Sequence, residues 1–112
     1  MDNRKNDEYY INKMVTDLAF IIEHTVDLTI EELTLNEVLV DSVMFRLIQI
    51  SESADRLTDS LKNNYNSIPW RAIKGLRNRI VHEYGNVDFT VVYDTVKNDI
   101  PMLLDNLKQV DA

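Results

Sequence analysis

Arg77, His82 and Tyr84 fall within eight residues of one another in the run KGLRNRIVHEYGN, residues 74–86, with Asn78 beside the arginine. These residue types suit the cleavage of RNA through its own 2′-hydroxyl. Histidine has an ordinary pKa of about 6.5, so near neutrality it can accept the hydroxyl proton or protonate the leaving oxygen. Arginine stays charged and offers a planar donor fork to the phosphoryl oxygens, where negative charge grows in the transition state. Asn78 can hold the histidine or the phosphate by hydrogen bonds. The chemistry needs no metal, and the acidic residues show no EF-hand or H-E-x-x-H spacing.

Charge singles out the same region. The chain carries −7 overall, against the balance of a protein that coats nucleic acid. Yet no acid occurs between Asp59 and Glu83, while Lys62, Arg71, Lys74, Arg77 and Arg79 all fall there. Elsewhere seven basic residues face 19 acidic ones. A local anion site on a repelling surface fits this pattern, with Arg71, Lys74 and Arg79 as candidate contacts to RNA phosphates. A solvated basic helix face fits the charge alone equally well. His24, isolated in the first helical stretch, is an ordinary helix residue.

The elements that must position these residues are helical. The 112 residues suffice for one core and one domain, residues 1–112, and 45% hydrophobic with 28% charged residues is a globular balance. Two glycines and two prolines leave little punctuation. There are no cysteines, which removes disulfides and thiolate chemistry and fits a cytoplasmic location. The polar start MDNRKNDEYY is no signal peptide, and the longest apolar runs, LAFII and VLV, are too short to span a bilayer.

The periodicity predicts a first helix from about Asp7 to Asp27, with Ile11, Met14, Leu18, Ile21, Ile22 and Leu28 on one stripe. A second, capped by Thr34 with Glu37 as capping-box partner, is expected to run to Leu61. That helix would be about 40 Å long. A domain of this size has a radius of gyration of about 13 Å, so the helix should protrude or be covered by a second copy. A third is expected from Ser67 as cap to Gly85, with Pro69 in its first turn, Trp70 packed on the bundle, and Ile73, Leu76 and Ile80 facing the core. A fourth begins at the Asp88 cap and runs to about Val110, kinked or broken at Pro101. The fold class is all-α, an antiparallel bundle of four or five helices.

On an ideal helix Arg77 and Tyr84 lie about 20° apart, Asn78 and His82 about 40°, but Arg77 and His82 about 140°. One undistorted helix therefore does not converge the pair. Either the helix distorts near Gly85, or two copies of the chain supply the groups jointly.

The segment IPWRAIKGLRNRIVHEYGNVD resembles the HEPN domains of the HepT-like ribonuclease toxin family, which carry R-x-x-x-x-H-x-Y after an I-P-W lead-in. FRLIQISESADRL and VVYDTVKNDIPMLLDNL are similar to that family as well, so the likeness covers about residues 7–110. The resemblance implies a homodimeric helical bundle with its cleft between protomers. It implies a metal-independent endoribonuclease toxin needing no cofactor, with Arg77 and His82 as the catalytic pair and Asn78 in support. The implied partner is an MntA-type minimal nucleotidyltransferase antitoxin, which uses ATP to transfer AMP to Tyr84. The alternatives are a non-catalytic module that binds a nucleotide or RNA for a nucleotidyltransferase, and an acidic helical interaction domain whose Arg77 and His82 merely pair with carboxylates.

Overall fold

Apolar residues three and four apart dictate the first helix, α1 (Asn3–Thr25), whose Ile11, Met14, Leu18 and Ile21 are all buried. The computed structural model describes residues 3–83 and 86–111, and for residues 3–5 and 80–83 the backbone alone. After α1 come α2 (Ile30–Leu35), α3 (Glu37–Asp55), α4 (Asp59–Asn64), α5 (Trp70–Lys74) and α6 (Leu76–Ile80). A short antiparallel ribbon follows, β1 (Val81–Glu83) paired with β2 (Asn86–Val87). The chain closes with α7 (Phe89–Asp94), a π-helical segment over Thr95–Asp99, and α8 (Ile100–Lys108). The class is all-α, as expected, with a ribbon that the helical pattern did not foretell.

Two cross-links fix the direction of the first long pair. Asp7 of α1 bonds Thr58 beyond the end of α3, and Asp17 bonds Arg46 midway along it. The two helices therefore run antiparallel. At the far end of α1, Lys97 Nζ donates to the carbonyls of Thr25 and Val26, and the Tyr93 hydroxyl donates to Leu28. A lysine there satisfies carbonyls that a helix end leaves without partners and opposes the negative end of its dipole. Alpha-8 then returns antiparallel along α1, contributing Ile100, Leu103 and Leu107 to a core shared with Val43, Leu47 and Ile50 of α3. Among the described residues no helix is long and apolar enough to cross a membrane.

Three expected boundaries are corrected. The second helix does not run unbroken from Thr34 to Leu61. Thr29, not Thr34, makes the capping box, donating its N–H to Glu32 and accepting from the Glu32 N–H through its hydroxyl. The Thr29 N–H foremost, and the Thr29 hydroxyl after it, hold the Glu32 carboxyl below its ordinary range. The carboxylate's half of the box is at full strength above the usual glutamate pKa and weakens as pH falls through the depressed one. Thr34 sits inside α2, and Asn36 caps α3 by accepting the Leu39 N–H.

Alpha-3 ends at Asp55, so at 19 residues it is about 28 Å long. It fits within the 45 Å long axis of the molecule, and helix length gives no reason to invoke a second copy. The break comes from α1. Asp7, 5% exposed, accepts both the N–H (2.9 Å) and the hydroxyl (2.6 Å) of Thr58, whose oxygen accepts the Leu61 N–H and so starts α4. Asp7→Ala is expected to cost about 1–3 kcal/mol, since it strands the two Thr58 donors that this carboxyl accepts; equilibrium urea unfolding measures it.

The third expected helix is also divided. It starts at Trp70 without a side-chain cap, so Ser67 does not cap it, and it breaks at Gly75 into α5 and α6. The hydroxyl of Ser51 donates to the Lys74 carbonyl at that break. Trp70 packs against the core and donates its indole N–H to Tyr65, as its size predicts. In the last helix Asp88 caps α7 as expected. Pro101 is accommodated by widening the preceding turn: the Ile100 N–H reaches the Thr95 carbonyl, five residues back. Proline's missing donor and its clash with the Lys97 carbonyl are absorbed there without a break.

Candidate active site

The motif residues stand where the chain changes from helix to strand. Alpha-6 carries Arg77, Asn78 and Arg79, and ends at Ile80; His82 follows on the backbone of β1. The expectation of one helix through to Gly85 is therefore corrected. The cause is the ribbon, in which Val81 pairs with Val87 and Glu83 with Asn86, drawing the backbone away from helical geometry. The angle of about 140° between positions 77 and 82 holds only for an ideal helix, so it no longer separates the pair. The side chain of His82 lies outside the described residues, and so does Tyr84 altogether.

The α6 turn is gripped from two sides. On one, Lys74 at the end of α5 pairs with Asp55 of α3 at 3.1 Å, beside the Ser51 bond to the Lys74 carbonyl. On the other, the Arg79 guanidinium donates to Asp99 at 2.8 Å and to the Thr95 hydroxyl at 3.1 Å, both on the π-segment. Leu76 anchors the turn in the core. Arg77 and Asn78 face solvent and make no ion pair with any described residue.

The basic interval thus divides. Lys74 and Arg79 spend their charge on carboxylates of neighbouring elements, whereas Lys62, Arg71 and Arg77 pair with no described residue. An exposed, unpaired guanidinium can meet a phosphate without first breaking an ion pair. His24 is an exposed helix residue, stacked on Phe20 at 4.1 Å with its Nδ1 bonded to the Phe20 carbonyl. Among the described residues no three His, Asp or Glu side chains gather as a metal site. The partners of Arg79 escaped the pattern reading because Thr95 and Asp99 lie 16 and 20 residues further along the chain.

A protein-family model described as Ribonuclease HepT-like matches residues 14–110. Among curated proteins, one from Thermococcus cleftensis named "probable ribonuclease HepT" is 27% identical over 100 residues, covering 89% of this chain and 91% of its own length. A protein of Caldanaerobacter subterraneus named "putative RNase" is 25% identical over 101 residues, 90% of each chain. A third, from Methanocaldococcus jannaschii, bears the name "gamma-glutamylcyclotransferase and putative RNase" and is 29% identical over 107 residues. This chain spans 48% of that longer protein, whose two named activities belong to it as a whole. No solved structure gives a significant match. With the family match running from α1 to the end of α8 and through the motif, the chain belongs to the HepT-like ribonuclease family.

Proposed function

We propose that this ribonuclease-family chain is a metal-independent endoribonuclease, the toxin of a toxin–antitoxin pair. The observation that carries the reading is Arg77, exposed and in no ion pair with a described residue, on the last turn before the strand bearing His82. In the reaction His82 takes the 2′-hydroxyl proton and the 2′-oxygen attacks the adjacent phosphorus. The 5′-oxygen of the next nucleotide leaves with a proton, and a 2′,3′-cyclic phosphate remains. Arg77 neutralises charge growing on the phosphoryl oxygens, and Asn78, next to it, hydrogen-bonds the phosphate or the histidine. Arg71, exposed on α5, extends the phosphate-binding surface. Purified protein is expected to cut RNA with EDTA present and leave cyclic-phosphate ends. RNA left intact by wild type, or equal cutting by His82→Ala, overturns the reading.

The working form is a homodimer in the cytoplasm, each cleft shared between two copies. Its partner is an MntA-type nucleotidyltransferase that switches the enzyme off. The Tyr84 phenol oxygen attacks the α-phosphorus of ATP, pyrophosphate leaves, the phenol proton goes to solvent, and a phosphodiester charge is left seven residues from Arg77. That charge competes with RNA for the guanidinium. Tyr84→Phe co-expressed with the nucleotidyltransferase is expected to gain no AMP mass, while wild type gains one or more AMP units. AMP on the phenylalanine variant rejects the assignment.

A further inference from the structure

We propose that Arg79 is a positioning residue for RNA cleavage, clamping the α6–β1 junction to the π-segment through Asp99 and Thr95. The inference rests on the ribonuclease reading above. Arg79 is the next-to-last residue of α6, between Arg77 and the strand of His82. Its terminal nitrogen Nη2 reaches the first and the last residue of the π-segment, Thr95 at 3.1 Å and Asp99 at 2.8 Å. Thr95 is 2% exposed, and its carbonyl holds the Ile100 N–H in the widened turn that accommodates Pro101. The Thr95 acceptor is therefore buried in the fold, while Asp99 is half-buried at the other end of the segment.

Buried Leu76 ties this junction to the core, but apolar packing does not fill the space between it and α8. A hollow of about 200 Å³ lies between them, with Ile73, Leu76, Met102 and Leu103 on its walls and Arg79 and Asp99 at its edge. Side chains facing a void forfeit the contacts that would otherwise set their separation. The polar fork spans what the apolar groups do not. The ribbon turns the chain out of helix, and the guanidinium fixes where that junction sits on the π-segment, and with it Arg77 against the His82 backbone.

The same pair is a poor contributor to global stability. Arg79 and Asp99 side chains are 45% and 40% exposed, in the range where solvent screening leaves an ion pair little net value. That separates a positional effect from unfolding: cleavage should suffer while the melting temperature barely moves.

The test uses the full chain and a fluorescent single-stranded RNA. Asp99→Asn and Arg79→Gln are expected to lower kcat about tenfold, with KM changed less than about twofold, because small misplacements of reacting groups are costly. The exchanged pair, Arg79→Asp with Asp99→Arg, should regain at least about fivefold over Arg79→Asp alone. Two results overturn the proposal. One is wild-type kcat in Asp99→Asn. The other is a raised KM at unchanged kcat in the Arg79 variants with no recovery on exchange, which makes Arg79 an RNA-phosphate contact. If wild type cuts no RNA, the ribonuclease reading fails by itself and amide hydrogen exchange judges the clamp. Asp99→Asn should then speed exchange over residues 76–83 about tenfold while α1 is unaffected, and unchanged exchange there overturns the clamp.

Discussion

Replacing Arg77 with alanine lowers RNA cleavage by about a hundred- to a thousandfold, the expected loss when a donor aimed at developing phosphoryl charge is removed. The fold should survive, because the Arg77 side chain faces solvent and bonds no described residue. His82→Ala is expected to cost about 10²–10⁴ in rate, the range for a positioned acid or base. Mixing the two inactive proteins after co-refolding distinguishes the sources of the pair. If each cleft takes its arginine from one copy and its histidine from the other, a mixed dimer rebuilds one of its two clefts. Roughly a quarter of wild-type activity then returns, on random pairing in a symmetric dimer. If one copy supplies both groups, the mixture stays inactive. Lysine at position 77 keeps the charge but not the planar fork, and should recover only part of the loss.

The second large effect is on stability. Asp17 lies on the buried stripe of α1 between Met14 and Ile21, with its side chain 3% exposed. It survives there because Arg46 of α3 bonds it at 2.7 Å and Lys13 approaches at 3.4 Å. The Arg46 guanidinium also lies over the Phe20 ring at 4.0 Å, closing a stack that links the two longest helices. Asp17→Ala is expected to destabilise the chain by about 3 kcal/mol, near the low end for breaking a buried ion pair, because Arg46 retains 28% exposure to water. Against a typical total of 5–15 kcal/mol this is a large fraction. Calorimetry should show the melting temperature falling by about 10 °C. A fall of only one or two degrees would mean that Arg46 finds water as good a partner as Asp17.

Local chemistry was legible residue by residue. The spacing of Ile11, Met14, Leu18 and Ile21 predicts the buried face of α1, and Asp88 caps the helix it precedes. Competition between equal patterns was not legible. Thr29–Glu32 and Thr34–Glu37 are both capping-box sequences; α2 forms from the first and thereby buries Leu33, 1% exposed, which leaves Thr34 in mid-helix. The end of α3 was hidden because its cause, Asp7, is 51 residues away. The ribbon left a faint trace in VHEYGNV, where valines flank a glycine, but a three-residue strand is too short to outweigh a helical pattern.

For the site the division is sharper. The sequence alone determined which groups are present, a guanidinium, a carboxamide and an imidazole, and their order along the chain. Only the tertiary structure decided which cations stay unpaired. Lys74 and Arg79 look no different from Arg77 in the sequence, yet each meets a carboxylate 19 or 20 residues away while Arg77 meets none among the described residues. The structure likewise decided that Arg77 and His82 stand on opposite sides of a helix-to-strand change. Ion pairing and backbone direction at that junction are set by ångström distances between elements remote in the chain, and residue spacing does not encode those distances.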